Sequence, residues 1–301
     1  MRRRTDWSLD WPEAALTELA QGSVGKASRH FLQSALREVT HGRGFVLLRG
    51  LPVQRLSRER LRTLYWDIGL ELGTPVTQNV KGEAIAEITD HGLDANAVGV
   101  KPSMTNAEQR PHSDPCDVVS LLCVQPAKEG GLSRIASSLA IYNRLLEEAP
   151  PAFTALHRGF HHDLRGDETP EAPHGCTPVP IPVYRWHGGL LSCVFNASSA
   201  RQAAQRMNRP LPAAELALLD RIAELAHSDE LGLGMSFLPG DIQLLNNHTV
   251  VHWRTGYTDW PEPERKRRLY RLWINRPGER PVDPAFHRGY ITGSNAGLPI
   301  Q

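Results

Sequence analysis

The pattern that most restricts this chain is a change of hydrophobic period near residue 75. Before it, apolar residues recur at helical spacing. After it, they come in short runs cut by glycine and proline. Residues 27–39 place Phe31, Leu32, Leu36 and Val39 on one face of a helix, which His41-Gly42 closes. Residues 44–50 enclose Phe-Val-Leu-Leu between glycines, a short buried strand. Residues 56–72 predict another amphipathic helix, ended by Gly73 and Pro75. With one earlier helix, the first seventy residues read helix, helix, strand, helix.

Strands then dominate. They are expected at 84–89, 118–124, 183–186 and 190–195, the last two joined as a hairpin across His187-Gly188-Gly189. Four more follow at 235–238, 242–245, 249–252 and 268–275. Helices are expected at 137–148, stopped by Pro150-Pro151, and at 211–227. Residues 91–110 are polar, and a structureless stretch of that length inside a domain is often a lid or binding loop. No repeat or low-complexity linker divides the chain. Helices followed by many short strands predict a single α+β domain over residues 1–301. It would be built on a β-sandwich or barrel, with a helical region 1–75 packed against it.

Composition narrows the partners. A chain of 301 residues buries a substantial core. A formal net charge of +1 offers no broad attraction for nucleic acid or for an anionic membrane. No stretch approaches the roughly 20 apolar residues that span a bilayer. The start of the chain, with Trp7-Ser8-Leu9-Asp10, has no apolar signal segment. Cys116, Cys123, Cys176 and Cys193 form no CxxC pair, so reduced thiols and a cytoplasmic location are expected. No feature marks an oligomer interface.

Four clusters could carry chemistry. In Pro111-His112-Ser113-Asp114, side chains two apart on an extended strand point the same way, so His112 and Asp114 can grip one ion. A lone HxD is more often a polar turn. In Pro239-Gly-Asp241 through Arg254, His248 and His252 lie four apart on a predicted strand and would face the same way, so either could be a third ligand. In Arg265-Lys266-Arg267-Arg268-Leu-Tyr-Arg271, alternation puts Arg267, Leu269 and Arg271 on one face. A buried guanidinium there needs an anion and fits a carboxylate at two points. Gly130-Gly131-Leu132-Ser133 adds a tight turn and a hydroxyl.

The order HxD, GGxS, GDxxxxNN with a late histidine, then spaced arginines resembles the TauD/TfdA-like (taurine/2,4-D dioxygenase) family, over roughly residues 42–276. The resemblance implies a double-stranded β-helix (jelly-roll) core with flanking helices, and an oxygenase that uses Fe(II), 2-oxoglutarate and O2. It matches His112, Asp114 and His252 to the metal ligands and leaves His248 outside them. It matches Arg267 to the arginine that binds the distal carboxylate of 2-oxoglutarate, with Ser133 assisting. The adjacent Arg268 is the alternative by one step of register. Arg271 matches an arginine turned toward the bound molecules or behind the ligands. A facial triad of this kind leaves three coordination positions for co-substrate and oxygen. The implied outcome is hydroxylation, desaturation or cyclisation at an unactivated C–H bond, with release of succinate and CO2. Asp114 argues against halogenation, since related halogenases replace that carboxylate with a small residue. The substrate would be a small polar metabolite such as an amino acid or carboxylate. His91, Asn106, Gln109 and Arg110 are candidate contacts to it, and His161-His162-Asp163 and Asn196 are weaker ones. Two other readings use the same His/Asp/His set: a zinc hydrolase, and a non-catalytic metal-binding protein that kept the fold.

Overall fold

Alternation along one strand sets the architecture. In Phe45–Arg49, Val46 and Leu48 pack with the N-terminal helices, while Phe45 and Leu47 enter a second cluster on the opposite face. The computed structural model describes residues 7–79, 81–94, 100–164, 172 and 175–286.

The larger sheet runs Ser8–Asp10, Phe45–Arg49, Ile242–Asn246, Val118–Gln125, Arg268–Asn275 and Thr74–Val76, with Ile85–Ile88 also pairing to Arg268–Asn275. Its outer face is covered by helices Glu13–Ala20, Lys26–Thr40 and Arg58–Leu72, through Leu32, Leu36, Leu64, Ile68 and their neighbours. The smaller sheet runs Gly232–Met235, Ser133–Ser137, Val250–Arg254 and Gln109–His112. Helices Ser138–Glu148 and Ala213–His227 cover its outer face, packing on Ala136, Val251 and Trp253. Between the sheets lie Phe45, Leu47, Val119, Ile135, Met235, Leu245, Val250 and Trp273. Two facing sheets with helices outside form the jelly-roll core. The period-2 rule then fixes the direction of each inner residue. On Val250–Arg254, Val251 and Trp253 point outward, so His252 and Arg254 point in.

Most predicted elements lie within two residues of their observed bounds. The strand expected at 235–238 is instead Gly232–Met235. Asp241 is the reason: its Oδ2 accepts the Leu238 amide at 2.9 Å, and its own amide donates to the Leu238 carbonyl at 3.0 Å. That turn claims the backbone the strand would need. The strand Ser133–Ser137 and the helix Ala197–Arg206 were not expected. Within the polar segment 91–110, Pro102–Met104 is a short 3₁₀ turn and Gln109–His112 is a strand, while residues 95–99 lie outside the described residues.

Candidate metal and co-substrate site

His112 ends the strand Gln109–His112 directly opposite His252 on Val250–Arg254, and the two rings are 4.4 Å apart between centroids. Beyond the strand end, Ser113 and Phe195 exchange hydrogen bonds: the Ser113 amide donates to the Phe195 carbonyl, and Ser113 Oγ accepts the Phe195 amide. This keeps the chain extended, so Asp114 turns to the same side as His112. The Asp114 amide donates to Asn247 Oδ1 at 3.0 Å, fixing the turn across the two sheets. One ligand atom from each of His112, Asp114 and His252 lies within 4.8 Å of the others, and all three residues are buried.

The protonation states are set by neighbours. His112 Nδ1 donates to the Arg110 carbonyl at 2.9 Å, which leaves the lone pair on Nε2. Gln109 Nε2 donates to that lone pair at 3.0 Å. Burial pushes the pKa of His252 down to about 3, so its ring is neutral. Burial raises the Asp114 carboxyl, but the Arg271 guanidinium, helped by the Trp273 indole N–H, outweighs it and holds the carboxyl below its ordinary value. Asp114 Oδ2 also accepts Trp273 Nε1–H at 2.9 Å and Arg271 Nη1–H at 3.3 Å. Arg271 is braced by its Nε–H to Gln78 Oε1 at 2.7 Å. Two neutral imidazoles and one carboxylate converge here, with the carboxylate held from behind.

His248 does not join them. Residues 247–249 form the turn before the strand begins at Val250, so the same-face rule that spans a strand does not reach His248. Its Nε2 bonds Asp117 Oδ1 at 2.8 Å, in a separate pocket lined also by Arg276 and Glu279.

A second cleft opens beside His252, lined by Ser133, Gln109, Arg254, Arg267, Leu269 and Arg271 among others. Arg267 is buried, and its Nη1 has no hydrogen-bond partner. Arg268, the alternative, turns the other way and bonds Glu87 at 2.9 Å. Gly131 has a positive φ of 65°, and a Cβ there would stand 3.3 Å from Arg267 Nε, so this glycine makes room for Arg267, while a Cβ on Gly130 would meet the Gly256 carbonyl. Ser133 Oγ donates to Gln243 Oε1 at 3.0 Å.

A further cleft, which His112 and Asp114 also line, is bordered by Lys101, Gln109, Arg110, His162, Asp163, Asn196 and Arg271 among others. His91 and Asn106, expected as contacts, are exposed and stand outside it. Their backbones are engaged instead, the His91 amide with the Met104 carbonyl and the Asn106 carbonyl with the Tyr257 amide. His161 is held by the Thr177 carbonyl through Nδ1. Trp273, Gln78 and Arg254 were not among the expected site residues. The alternation that pairs Arg267 with Arg271 extends to Trp273 and could have found it.

Residues 16–273 match the family model described as taurine catabolism dioxygenase TauD, TfdA family. The chain belongs to this family. It is an Fe(II)- and 2-oxoglutarate-dependent dioxygenase that uses O2, and the zinc hydrolase and non-catalytic readings fall away. It is 34% identical over 290 residues to the FR-33289 synthase of Streptomyces rubellomurinus (strain ATCC 31215), covering 94% of this chain and 82% of that one. It is 30% identical over 243 residues to the taurine hydroxylase-like protein SAT17 of Stachybotrys chartarum (strain CBS 109288 / IBT 7711), covering 76% of this chain and 60% of that one. Among solved structures, asparagine oxygenase in complex with Fe(II), 2S,3S-3-hydroxyasparagine and succinate superposes with a TM-score of 0.64 at 17% identity, over 92% of this chain and 98% of that one. The non-heme iron oxygenase OrfP in complex with Fe and alpha-ketoglutaric acid gives 0.60 at 13%, over 89% and 93%. At these identities the structures are alike in fold. No helix among the described residues is long and apolar enough to cross a membrane.

Proposed function

We propose that His112 Nε2, one oxygen of Asp114 and His252 Nε2 hold the Fe(II) of this dioxygenase. Arg267, with Ser133, receives the distal carboxylate of 2-oxoglutarate. The reading is carried by one juxtaposition: three converging, correctly protonated ligands stand beside a buried guanidinium with an unpartnered nitrogen. When bound, Fe(II), 2-oxoglutarate and O2 supply oxidative decarboxylation to succinate and CO2, coupled to oxidation of a C–H bond.

The protein's own residues do the positioning. Trp273 and Arg271 occupy Asp114 Oδ2 and leave Oδ1 for the metal. Arg271 is already engaged by Asp114 and Gln78, which supports a role behind the carboxylate ligand rather than as a co-substrate anchor. A strongly desolvated Arg267 favours a carboxylate partner over water.

The substrate we infer is a small polar molecule carrying a carboxylate, an amino acid or close analogue. Gln109 and Arg110 line the cleft for it, together with Lys101 and Asp163, so both signs of charge face the opening. Asparagine oxygenase with its hydroxyasparagine, and OrfP with (3S)-hydroxy-L-Arg, support an amino-acid-like substrate. We further infer one catalytic domain over residues 1–301, with Lys101 to Ser103 and Gln109 to Arg110 bordering the mouth and the helical N-terminal region as its buttress. Neither nucleic acid nor membrane is a partner in this reading. Four buried cysteines, with no disulfide among the described residues, support a cytoplasmic setting.

The test is to titrate the anaerobic, Fe(II)-loaded enzyme with 2-oxoglutarate and follow the visible spectrum. A charge-transfer band that is lost in His252→Ala is expected. Full iron occupancy with no band in the wild type would overturn the assignment.

A further inference from the structure

Arg254 carries two unexplained features. Its side chain is buried, and its Nε and Nη1 have no hydrogen-bond partner. Among the described residues, neither Arg254 nor Arg267 forms an ion pair, although both line the same cleft and both stack on the Tyr257 ring, at 4.6 and 5.1 Å from its centroid. Two desolvated like charges side by side are costly unless an anion joins them. The remaining nitrogen does something different: Nη2 donates to the carbonyl of Thr105 at 3.0 Å and to that of Ala107. Those carbonyls belong to the segment that leads through Gln109 and Arg110 into His112. Arg254 also sits opposite Gln109 in the sheet.

We propose that Arg254 is a positioning residue that ties the distal-carboxylate end of the co-substrate cleft to segment 101–110. Nε and Nη1 answer to the same carboxylate as Arg267, while Nη2 holds the segment. This rests on the co-substrate site proposed above. A carboxylate between the two arginines removes their repulsion and fixes the Arg254 fork in one orientation, and the segment it holds is fixed with it. By linkage, an ordered segment strengthens co-substrate binding to the same degree. The wall carrying Gln109 and Arg110 is then set only when 2-oxoglutarate is in place.

The experiment is hydrogen–deuterium exchange of peptides spanning residues 101–110, in anaerobic Fe(II)-loaded enzyme with and without 2-oxoglutarate. The visible band serves in parallel to measure affinity. In the wild type, 2-oxoglutarate slows exchange in the segment. Arg254→Gln is expected to bind 2-oxoglutarate on the order of tenfold more weakly, and at saturation to show no slowing. Arg254→Lys keeps a cation on a similar stem but cannot bond at both ends. It is expected to regain part of the affinity without the protection. It decides the matter if the glutamine variant does not fold: slowing that persists in Arg254→Lys overturns the proposal. So does wild-type affinity in Arg254→Gln. If Arg267→Gln binds 2-oxoglutarate as the wild type does, the co-substrate assignment has failed instead, independently of Arg254.

Discussion

Trp273 Nε1 donates to Asp114 Oδ2 at 2.9 Å, across 159 residues of sequence. The same oxygen lies 3.7 Å from His252 Nε2, whereas Asp114 Oδ1 lies 3.8 Å from His112 Nε2. An indole N–H thus fixes which face of the carboxylate meets the two imidazoles.

Replacing that donor while keeping the ring shape isolates its contribution. Trp273→Phe is expected to fold and to bind Fe(II) roughly 10–100-fold more weakly, the usual cost of losing an outer-shell bond to a ligand. Competition with a chelating dye measures this. Unchanged affinity would mean that Arg271 alone orients the carboxylate. Asp114→Ala goes further and should abolish succinate formation; retained turnover would remove Asp114 from the ligand set.

The neighbouring arginines separate cleanly. Arg267 lies in the cleft beside Ser133, and Arg268 bonds Glu87, which Arg58 also holds. Arg267→Gln should raise the 2-oxoglutarate concentration needed for half-saturation by about 100-fold or more, since a buried charge loses its partner. Arg268→Gln should leave that concentration unchanged and cost no more than about 1 kcal/mol of stability, as for a pair near the surface. Equal effects in the two variants would contradict this division.

His248 and His252 make the matching contrast. His248→Ala leaves the Asp117 carboxylate with only part of its partners, and a stability loss of roughly 1–3 kcal/mol is expected. Fe(II) should still bind one ion per chain. His252→Ala should lose the metal. Stoichiometry by metal analysis after gel filtration distinguishes them, and a metal-free His248→Ala would reverse their roles.

The division between what could be read from the residues and what could not follows from the range of each interaction. His112 and Asp114 are two apart, His252 sits in a strand whose period announces its inward direction, and Arg267 immediately precedes another, Arg268–Asn275. His248 defeated the same reasoning because the strand begins two residues after it. Ser133–Ser137 escaped notice because its polar residues mask the period, although Ile135 and Ala136 are buried. Gln78 gives no local sign at all: its value is the bond to Arg271, 193 residues away. An aromatic residue on a strand, like Trp273, reads as core until a carboxylate is found at its N–H.

The N-terminal buttress has its own acid sensitivity. Glu18 accepts the Ser28 and Ala27 amides and the Ser28 hydroxyl at the start of helix Lys26–Thr40, bonds that lower its pKa from 4.5 to about 2. A depressed carboxyl contributes stability above its unfolded pKa and loses it as pH falls through the folded value. The contribution is therefore complete above about 4.5 and gone near 2. Glu18→Gln should lower the melting temperature at pH 7, and the difference from wild type should shrink on acidification across that window. A difference independent of pH would assign the effect to packing.

At the metal site proposed above, Gln109 is a competitor for His112 Nε2. Its Nε2 donates at 3.0 Å to His112 Nε2, the nitrogen whose lone pair a ligand must offer, while Nδ1 is committed to the Arg110 carbonyl. Metal entry must break the Gln109 bond, and a neutral hydrogen bond is worth about 0.5–1.5 kcal/mol net. Gln109→Leu removes the donor at similar size and is expected to tighten Fe(II) binding by roughly two- to tenfold. Activity should fall, because Gln109 also lines the cleft proposed for the substrate. Metal titration and turnover therefore move in opposite directions. Weaker Fe(II) binding in Gln109→Leu would show instead that the amide supports the occupied site, as an orienting partner of His112.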